Sequence, residues 1–279
     1  MSAPLQPASS QLAALEGVLR SIGEVAVAVS GGVDSITLAA AAHRALDAGA
    51  SMFHAVSPAV PAEATERTRQ VANREGWRLT VIDAGEFGDR DYMSNPLDRC
   101  FYCKTNLYGA IRPHTTAQVV SGTNLDDLGE YRPGLIAAKE HGVRHPFVEA
   151  DIDKPSVRAI ARHIGLGELA ELPASPCLSS RIETGIVIDP VMLECVHESE
   201  RLLERELKPK TVRCRVRAGG VVIELDEACL AALPDERRGA LTQRLQALFE
   251  RRHFAYGVSF ERYRVGSAFL HFKRPASGR

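Results

Sequence analysis

No stretch of this chain reads as a membrane span. Every apolar run stops well short of the roughly 18–20 residues that a spanning helix needs. Charge of one sign is missing too. The 34 basic and 35 acidic residues leave a formal net charge of −1, so no overall positive field draws the chain to nucleic acid. The opening residues, MSAPLQPASSQLAALEG, lack a basic segment followed by an apolar block. No secretory leader is expected there, and the expected location is cytoplasmic. Cysteine is sparse: six in 279 residues do not suggest a disulfide framework, and in a reducing compartment they are free, catalytic or metal-bound. No internal repeat and no RNA-binding module is evident. What is present is ordinary for a globular protein. Hydrophobic residues make up 45% and charged residues 25%, and the length suits one large or two ordinary domains.

The first half of the chain alternates. Helical patterns at 10–22, 35–48, 61–75, 104–112, 132–140 and 154–164 are interleaved with short apolar strands at 24–29, 51–56, 77–82 and 118–121. Strands alternating with helices predict a parallel sheet with helices on both faces. After about residue 188 the pattern changes. A helix at 191–207 is followed by strands at 212–216 and 221–225, a helix at 235–252 with Asp235 as its N-cap, and strands at 256–262 and 268–272. The expected architecture is therefore an α/β domain over residues 1–188 and a small α+β domain over 189–279.

The turn between the first strand and the second helix is SGGVDS, residues 30–35. Gly31 and Gly32 permit backbone angles that other residues resist and let a ligand approach the chain closely. The turn feeds a helix N-terminus, where unpaired N–H groups and the dipole favour an anion. Ser30 and Ser35 add hydroxyls. It is not a Walker A loop, since there is no G-x-x-x-x-G-K-[ST] and no lysine, and it is not the G-x-G-x-x-G dinucleotide turn. The plain alternative is a glycine turn without a ligand. The pattern resembles the PP-loop of the ATP pyrophosphatases, which implies that Ser30, Gly31, Gly32, Val33, Asp34 and Ser35 hold the pyrophosphate part of ATP. Adenylylation needs no side-chain nucleophile; a carboxylate attacks the α-phosphorus and the protein positions it. Mg²⁺ suits such a site. Asp34, Asp126 and Asp127 are candidates for shaping it, with a helix cap or solvated turn as the alternative for each.

Three cysteines stand apart. Cys100 and Cys103 form C-x-x-C in DRCFYCKTN, and Cys177 lies in PASPCLSSRIETG. Two thiolates at that spacing reach one metal, and three with an open position can hold a [4Fe–4S] cluster. C-x-x-C alone also fits redox chemistry, zinc or burial. Cys195, Cys214 and Cys229 lie in helix- or strand-like surroundings and read as small buried hydrophobes. Taken together, RCFYCK, then SGTNLDDLGEYRPGLIAAKEHGVRHPFVEADIDKPSVRAIARHIGL, then PASPCLSSRI resemble the LarE family over most of the chain. These are ATP-dependent sulfur transferases that help build the nickel-pincer nucleotide cofactor of lactate racemase.

The resemblance implies that ATP adenylylates a carboxylate of pyridinium-3,5-biscarboxylic acid mononucleotide and that sulfur then displaces AMP. It implies ATP contacts from Lys104, Asn124, Asp127 and Arg132, and catalytic roles for Cys177 and Asp34. It implies either a [4Fe–4S] cluster on Cys100, Cys103 and Cys177 that carries hydrosulfide, or a sacrificial Cys177 that becomes dehydroalanine. The three cysteines favour the cluster. Arg181, four residues after Cys177, is a candidate to offset charge on sulfur or AMP, with a surface pair to Glu183 as the alternative. Arg213, Arg215 and Arg217 alternate along a strand and so share a face, which suits a substrate phosphate. Where the family carries ARIE, an ungapped match leaves Val222 in place of its arginine. Glu198 and Glu200 match an acidic helical pair, a metal site or merely a polar face. Lys154 and Arg158, one turn apart, are further phosphate candidates. A sulfur donor and homo-oligomeric assembly are expected, without nucleic acid or membrane. The competing readings are a PP-loop tRNA thiolase, an amidotransferase-type ligase, and a zinc-stabilised nucleotide-binding protein without catalysis.

Overall fold

The computed structural model describes residues 7–129 and 132–264. Contacts divide the chain into two units. One comprises Met1–Tyr92 with Asp98–Ser175, the other Met93–Leu97 with Pro176–Arg279. Residues 176–188, grouped from sequence with the first domain, cluster with the second. Ile182 bridges Val216, and the Glu183 N–H donates to the Val216 carbonyl. The buried Asn95 amide donates to the carbonyls of Glu183 and Ile186 at 2.9 and 3.0 Å, which ties the 93–97 segment to the same unit.

The first unit runs α1 (Ala8–Ile22), β1 (Val25–Ala28), α2 (Val33–Leu46), β2 (Ala50–Val56), α3 (Ala62–Glu75), β3 (Leu79–Asp83), α4 (Arg90–Met93), α5 (Arg99–Ile111), β4 (Gln118–Ser121), α6 (Pro133–Glu140), α7 (Pro146–Glu149) and α8 (Lys154–His163). The sheet order is β3-β2-β1-β4, and every pairing is parallel. β1 alternates as a strand must. Val25, Val27 and Val29 pack with α1, α2 and α8 on one face, while Ala26 and Ala28 pack with Tyr108 and Ile111 of α5 and Ala138 of α6 on the other. Four consecutive alanines, Ala39–Ala42, are buried in α2; their small side chains let it lie between the sheet and its neighbours. The expected α/β fold with a parallel, two-sided sheet is observed.

The second unit continues with α9 (Pro190–Leu207), β5 (Val212–Arg217), β6 (Gly220–Leu225), α10 (Glu227–Ala231), α11 (Asp235–Glu250) and β7 (Val258–Arg262). β5 and β6 pair antiparallel, and β7 pairs parallel with β6. The expected strand at 268–272 lies outside the described residues. Two local readings need correction. The C-x-x-C segment lies inside α5, which starts at Arg99 rather than Lys104. Cys, Phe and Tyr are middling helix formers, and they hide the first turn. Asp235 is the first helical residue of α11, whose N-cap is Pro234, with no side-chain cap.

Candidate functional site

In open parallel sheets, ligands bind beyond the carboxyl ends of the strands, where the strand order reverses. Here the reversal falls between β1 and β4, and the SGGVDS turn follows β1 directly. Gly31 adopts φ +82°, and a Cβ there would lie 2.7 Å from the Ala64 carbonyl oxygen, so glycine is required twice over. Gly32 caps α2. The Ser35 hydroxyl accepts the Ser30 N–H at 3.0 Å and donates to the Gly32 carbonyl at 3.1 Å. The turn is thus closed on itself, and it leads into the first N–H groups of α2, which a helix cannot pair internally.

Neighbouring elements hold this turn. The Arg67 guanidinium donates to the Gly31 carbonyl at 2.8 Å. His54, fully buried on β2, bonds the Val29 carbonyl through Nδ1 at 2.8 Å and the Thr65 hydroxyl through Nε2 at 2.8 Å. The carbonyl requires Nδ1 to donate, so Nε2 accepts. Burial pushes this imidazole below its ordinary value, which keeps it in the neutral form the arrangement needs. Neither residue was singled out from sequence; their partners lie 36 and 25 positions away.

Asp34 is pinned from two sides. It pairs with the Lys154 ammonium and accepts from the Asn124 amide at 3.2 Å. The Asp126 carboxylate accepts the Lys154 N–H at 2.6 Å. Asp127 accepts the Asn124 N–H at 3.1 Å and pairs with Arg132 at 2.7 Å. Both neighbouring aspartates thus bond backbone N–H groups, Asp127 in the turn after β4 and Asp126 at the start of α8. Lys154 sits beside the Ser30–Ser35 turn, but Arg158 does not join it: its guanidinium donates to the carbonyls of Ala170 and Leu172. Lys104 lies on α5 where Gly134 of α6 packs close, a Cβ there meeting the Lys104 side chain at 3.1 Å. His145, at the end of the segment beside β4, bonds the Ser121 hydroxyl through Nδ1 at 2.9 Å.

The remaining candidates divide between the units. Cys100 and Cys103 are one turn apart on α5, so their side chains share a face, and both have some exposure. Cys177, also partly exposed, belongs to the second unit and precedes the short 3₁₀ turn Leu178–Arg181. The chemistry of two thiols one helical turn apart fits two ligands of one metal centre. Among the described residues, no three His, Cys, Asp or Glu side chains are gathered to hold a metal ion.

Arg181 is no surface cation paired to Glu183. It is 3% exposed, and it makes a two-pronged pair with Glu200 at 3.0 Å on each prong. It also donates to the carbonyls of Pro176 at 2.7 Å and Cys177 at 3.3 Å. Glu200 in turn accepts the Cys214 N–H at 2.8 Å. Arg181 therefore fixes the backbone that carries Cys177. The pairing of Glu198 and Glu200 as metal ligands is not supported: Glu198 pairs with Arg252 instead. Arg213, Arg215 and Arg217 do share a face of β5, and Glu224 of β6 stands among them. It bonds Arg215 at 3.1 Å and Arg217 at 2.8 Å. Burial, followed by the nearby Arg181, pushes Arg213 below its usual value.

Cys195 and Cys214 are fully buried, as expected of packing residues. Burial pushes the Cys195 thiol up to about 11 and raises Cys214 as well. Since the thiolate is the reactive form, iodoacetamide at about pH 8 should label Cys100 and Cys177 in native protein and leave these two untouched until denaturant is added. Peptide mass spectrometry reads this, and native labelling of Cys214 would contradict the packing.

No protein-family model matches the chain. It is 36% identical over 240 residues, 83% of this chain and 89% of the other, to the uncharacterized protein slr1717 of Synechocystis. It is 30% identical over 225 residues, 79% of this chain and 81% of the other, to the pyridinium-3,5-bisthiocarboxylic acid mononucleotide synthase of Lactiplantibacillus plantarum. The chain belongs to the LarE family. An uncharacterized protein of Methanocaldococcus jannaschii, MJ0830, matches a shorter part, 30% identical over 139 residues. The 225-residue alignment is too long to lie within either unit of this LarE-family chain. Among its described residues no helix is long and apolar enough to cross a membrane.

Proposed function

We propose that this LarE-family chain is an ATP-dependent sulfur transferase acting on pyridinium-3,5-biscarboxylic acid mononucleotide. The observation that carries the reading is the SGGVDS turn, closed by Ser35 and held by Arg67, at the strand-order reversal of a parallel sheet. The curated relative named for the bisthiocarboxylic product supports it. A substrate carboxylate oxygen attacks the α-phosphorus of ATP and pyrophosphate leaves. The N–H groups of the turn and α2 receive the departing anion, with Lys154 and Lys104 adding positive charge. Mg²⁺, when bound, would offset charge on the phosphates. Sulfur then attacks the acyl carbon, AMP leaves with the electron pair, and a thiocarboxylate remains.

Cys100, Cys103 and Cys177 are the residues we assign to a [4Fe–4S] cluster, which when bound supplies an anionic sulfide that needs no base. Arg181 is a positioning residue for Cys177 rather than a group that meets the substrate. The β5 arginines are assigned to the substrate phosphate, which competes there with Glu224. The second form of the reading gives Cys177 the role of consumed sulfur donor, favoured by its partial exposure on a backbone held by Arg181.

The test uses protein purified without oxygen, with iron and acid-labile sulfide measured per chain for wild type and Cys100→Ala. The protein is then given the dicarboxylate mononucleotide, ATP and Mg²⁺. The expected result is iron and sulfide lost in the variant, with AMP, pyrophosphate and an O-to-S mass gain in the product of wild type. Iron-free wild-type protein that loses the mass of H₂S from Cys177 during reaction would replace the cluster with the consumed cysteine. Absence of AMP and pyrophosphate formation would overturn the function itself.

A further inference from the structure

We propose that His145 is a nucleotide contact, its Nε2 donating a hydrogen bond to the phosphate chain of ATP bound at the Ser30–Ser35 turn. The proposal rests on the ATP reading above and adds to it a residue on the opposite wall of the crevice. The ring is held in place by backbone and side chain together. The 144–145 segment runs beside β4: the Arg144 N–H donates to the Val119 carbonyl and the Ser121 N–H to the Arg144 carbonyl, each at 3.1 Å. Nδ1 then meets the Ser121 hydroxyl at 2.9 Å. Ser121 stands opposite Ala28, the last residue of β1. The next residue, Gly122, abuts the backbone of Asp34 and Ser35, where a Cβ would come within 2.9 Å. The imidazole is thus anchored one residue from the junction of β4 with the N-terminus of α2.

Its second nitrogen makes no hydrogen bond among the described residues. The charged groups that bear on the ring come from three elements. Glu149 lies on α7, Asp127 in the turn after β4, and Lys104 on α5. Burial is the dominant influence and pushes the imidazole below its ordinary value; Lys104 acts in the same direction, and the two carboxylates oppose it. The ring is therefore neutral at pH 7. In the tautomer where the Ser121 hydroxyl, which also reaches the Thr123 hydroxyl, donates to Nδ1, the proton sits on Nε2 and makes it a donor. An anion matches it because the crevice also offers the α2 N–H groups, Lys154 and Lys104, while its two carboxylates, Asp34 and Asp127, are already paired with Lys154 and Arg132. Protonation of the ring keeps Nε2 a donor and adds charge, so phosphate binding favours the imidazolium. Nucleotide binding must then take up protons as the pH falls toward the titration range of His145.

The experiment is calorimetric titration of the full chain with a non-hydrolysable ATP analogue and Mg²⁺, at about pH 8 and about pH 6. Two buffers of different ionisation enthalpy are used, on wild type, His145→Ala and His145→Gln. Wild type should bind more tightly at the lower pH and take up protons. His145→Ala should lose about tenfold or more in affinity, as expected for a hydrogen bond to a charged group. His145→Gln keeps a donor near Nε2, so it should retain most of the pH 8 affinity but lose the excess proton uptake. Comparing it with wild type cancels the titration of the nucleotide's own terminal phosphate. If His145→Gln keeps the full proton uptake, or His145→Ala binds as wild type does, the contact is overturned while the ATP reading stands. Wild type that fails to bind the analogue overturns the ATP reading, and this inference with it.

Discussion

Glu200→Ala should cost the second unit about 3–5 kcal/mol of stability, because it leaves the Arg181 guanidinium buried and unpaired. Arg181 and Glu200 are 3% and 6% exposed. The guanidinium loses both of its bonds to Glu200 at a buried position, and the Cys214 N–H loses its acceptor as well. The neighbouring pair on the same helix is the internal control. Glu198 is about half exposed and its partner Arg252 is partly so, so Glu198→Ala should cost under about 1 kcal/mol. The readout must come from the right unit. The single tryptophan, Trp77, lies in the first, so its fluorescence is blind to this change. Hydrogen exchange over α9 and β5 against urea concentration is suitable. A second consequence follows from the carbonyls that Arg181 holds. In Glu200→Ala the Cys177 loop loses its anchor, and alkylation of Cys177 should accelerate while that of Cys100 does not change. Arg181→Lys should not rescue, since a single ammonium cannot span both carboxylate oxygens and the two loop carbonyls. A Glu200→Ala protein as stable as wild type would mean that the pair contributes nothing to the Cys177 loop.

The phosphate-like turn was legible because its signal is local. An apolar strand, two glycines, and an alanine-rich helix lie within 20 residues, and both the backbone angles and the small-residue packing follow from residue types alone. Pairings distant in sequence were not. Nothing near Gly31 announces Arg67, and nothing near Val29 announces His54, since their contact depends on how α3 and β2 are laid against β1. The burial of Arg181 depended on Glu200, which read as half of an acidic helical pair, a metal site or a polar face, with nothing in the sequence to link it to Arg181. One miss was avoidable. The Ala218-Gly219 turn between β5 and β6 fixes an antiparallel register in which Arg213 lies opposite Glu224. Cross-strand neighbours on one face interact, so a carboxylate among the three arginines was implied once the hairpin was drawn. The C-x-x-C pair needed the helix start at Arg99, and its aromatic and cysteine content conceals that start.

Gly122→Ala should weaken nucleotide binding on the order of 100-fold although Gly122 contributes no side chain to the site. Its Cβ would lie 2.9 Å from both the Asp34 carbonyl carbon and the Ser35 nitrogen. Both are backbone atoms at the start of α2, so no rotamer change relieves the clash. Either β4 or the N-terminus of α2 must move, and the N–H groups to which we assign the phosphate move with it. A displacement of about 1 Å at such a site costs on the order of 100-fold, and that loss in affinity for a non-hydrolysable ATP analogue is the expected result. Gly31→Ala should behave alike for a different reason, since its φ of +82° strains any side chain and its Cβ would meet the Ala64 carbonyl oxygen at 2.7 Å. The contrast lies in Gly17 and Gly109, inside α1 and α5, where an added Cβ meets nothing within 4 Å. Alanine there should bind nucleotide as wild type does and stabilise the helix by up to about 1 kcal/mol. Calorimetry on the four variants separates placement from mere loss of a glycine. If Gly122→Ala binds the analogue normally, the nucleotide does not sit at the junction of β4 and α2, and the site must be sought elsewhere on the first unit.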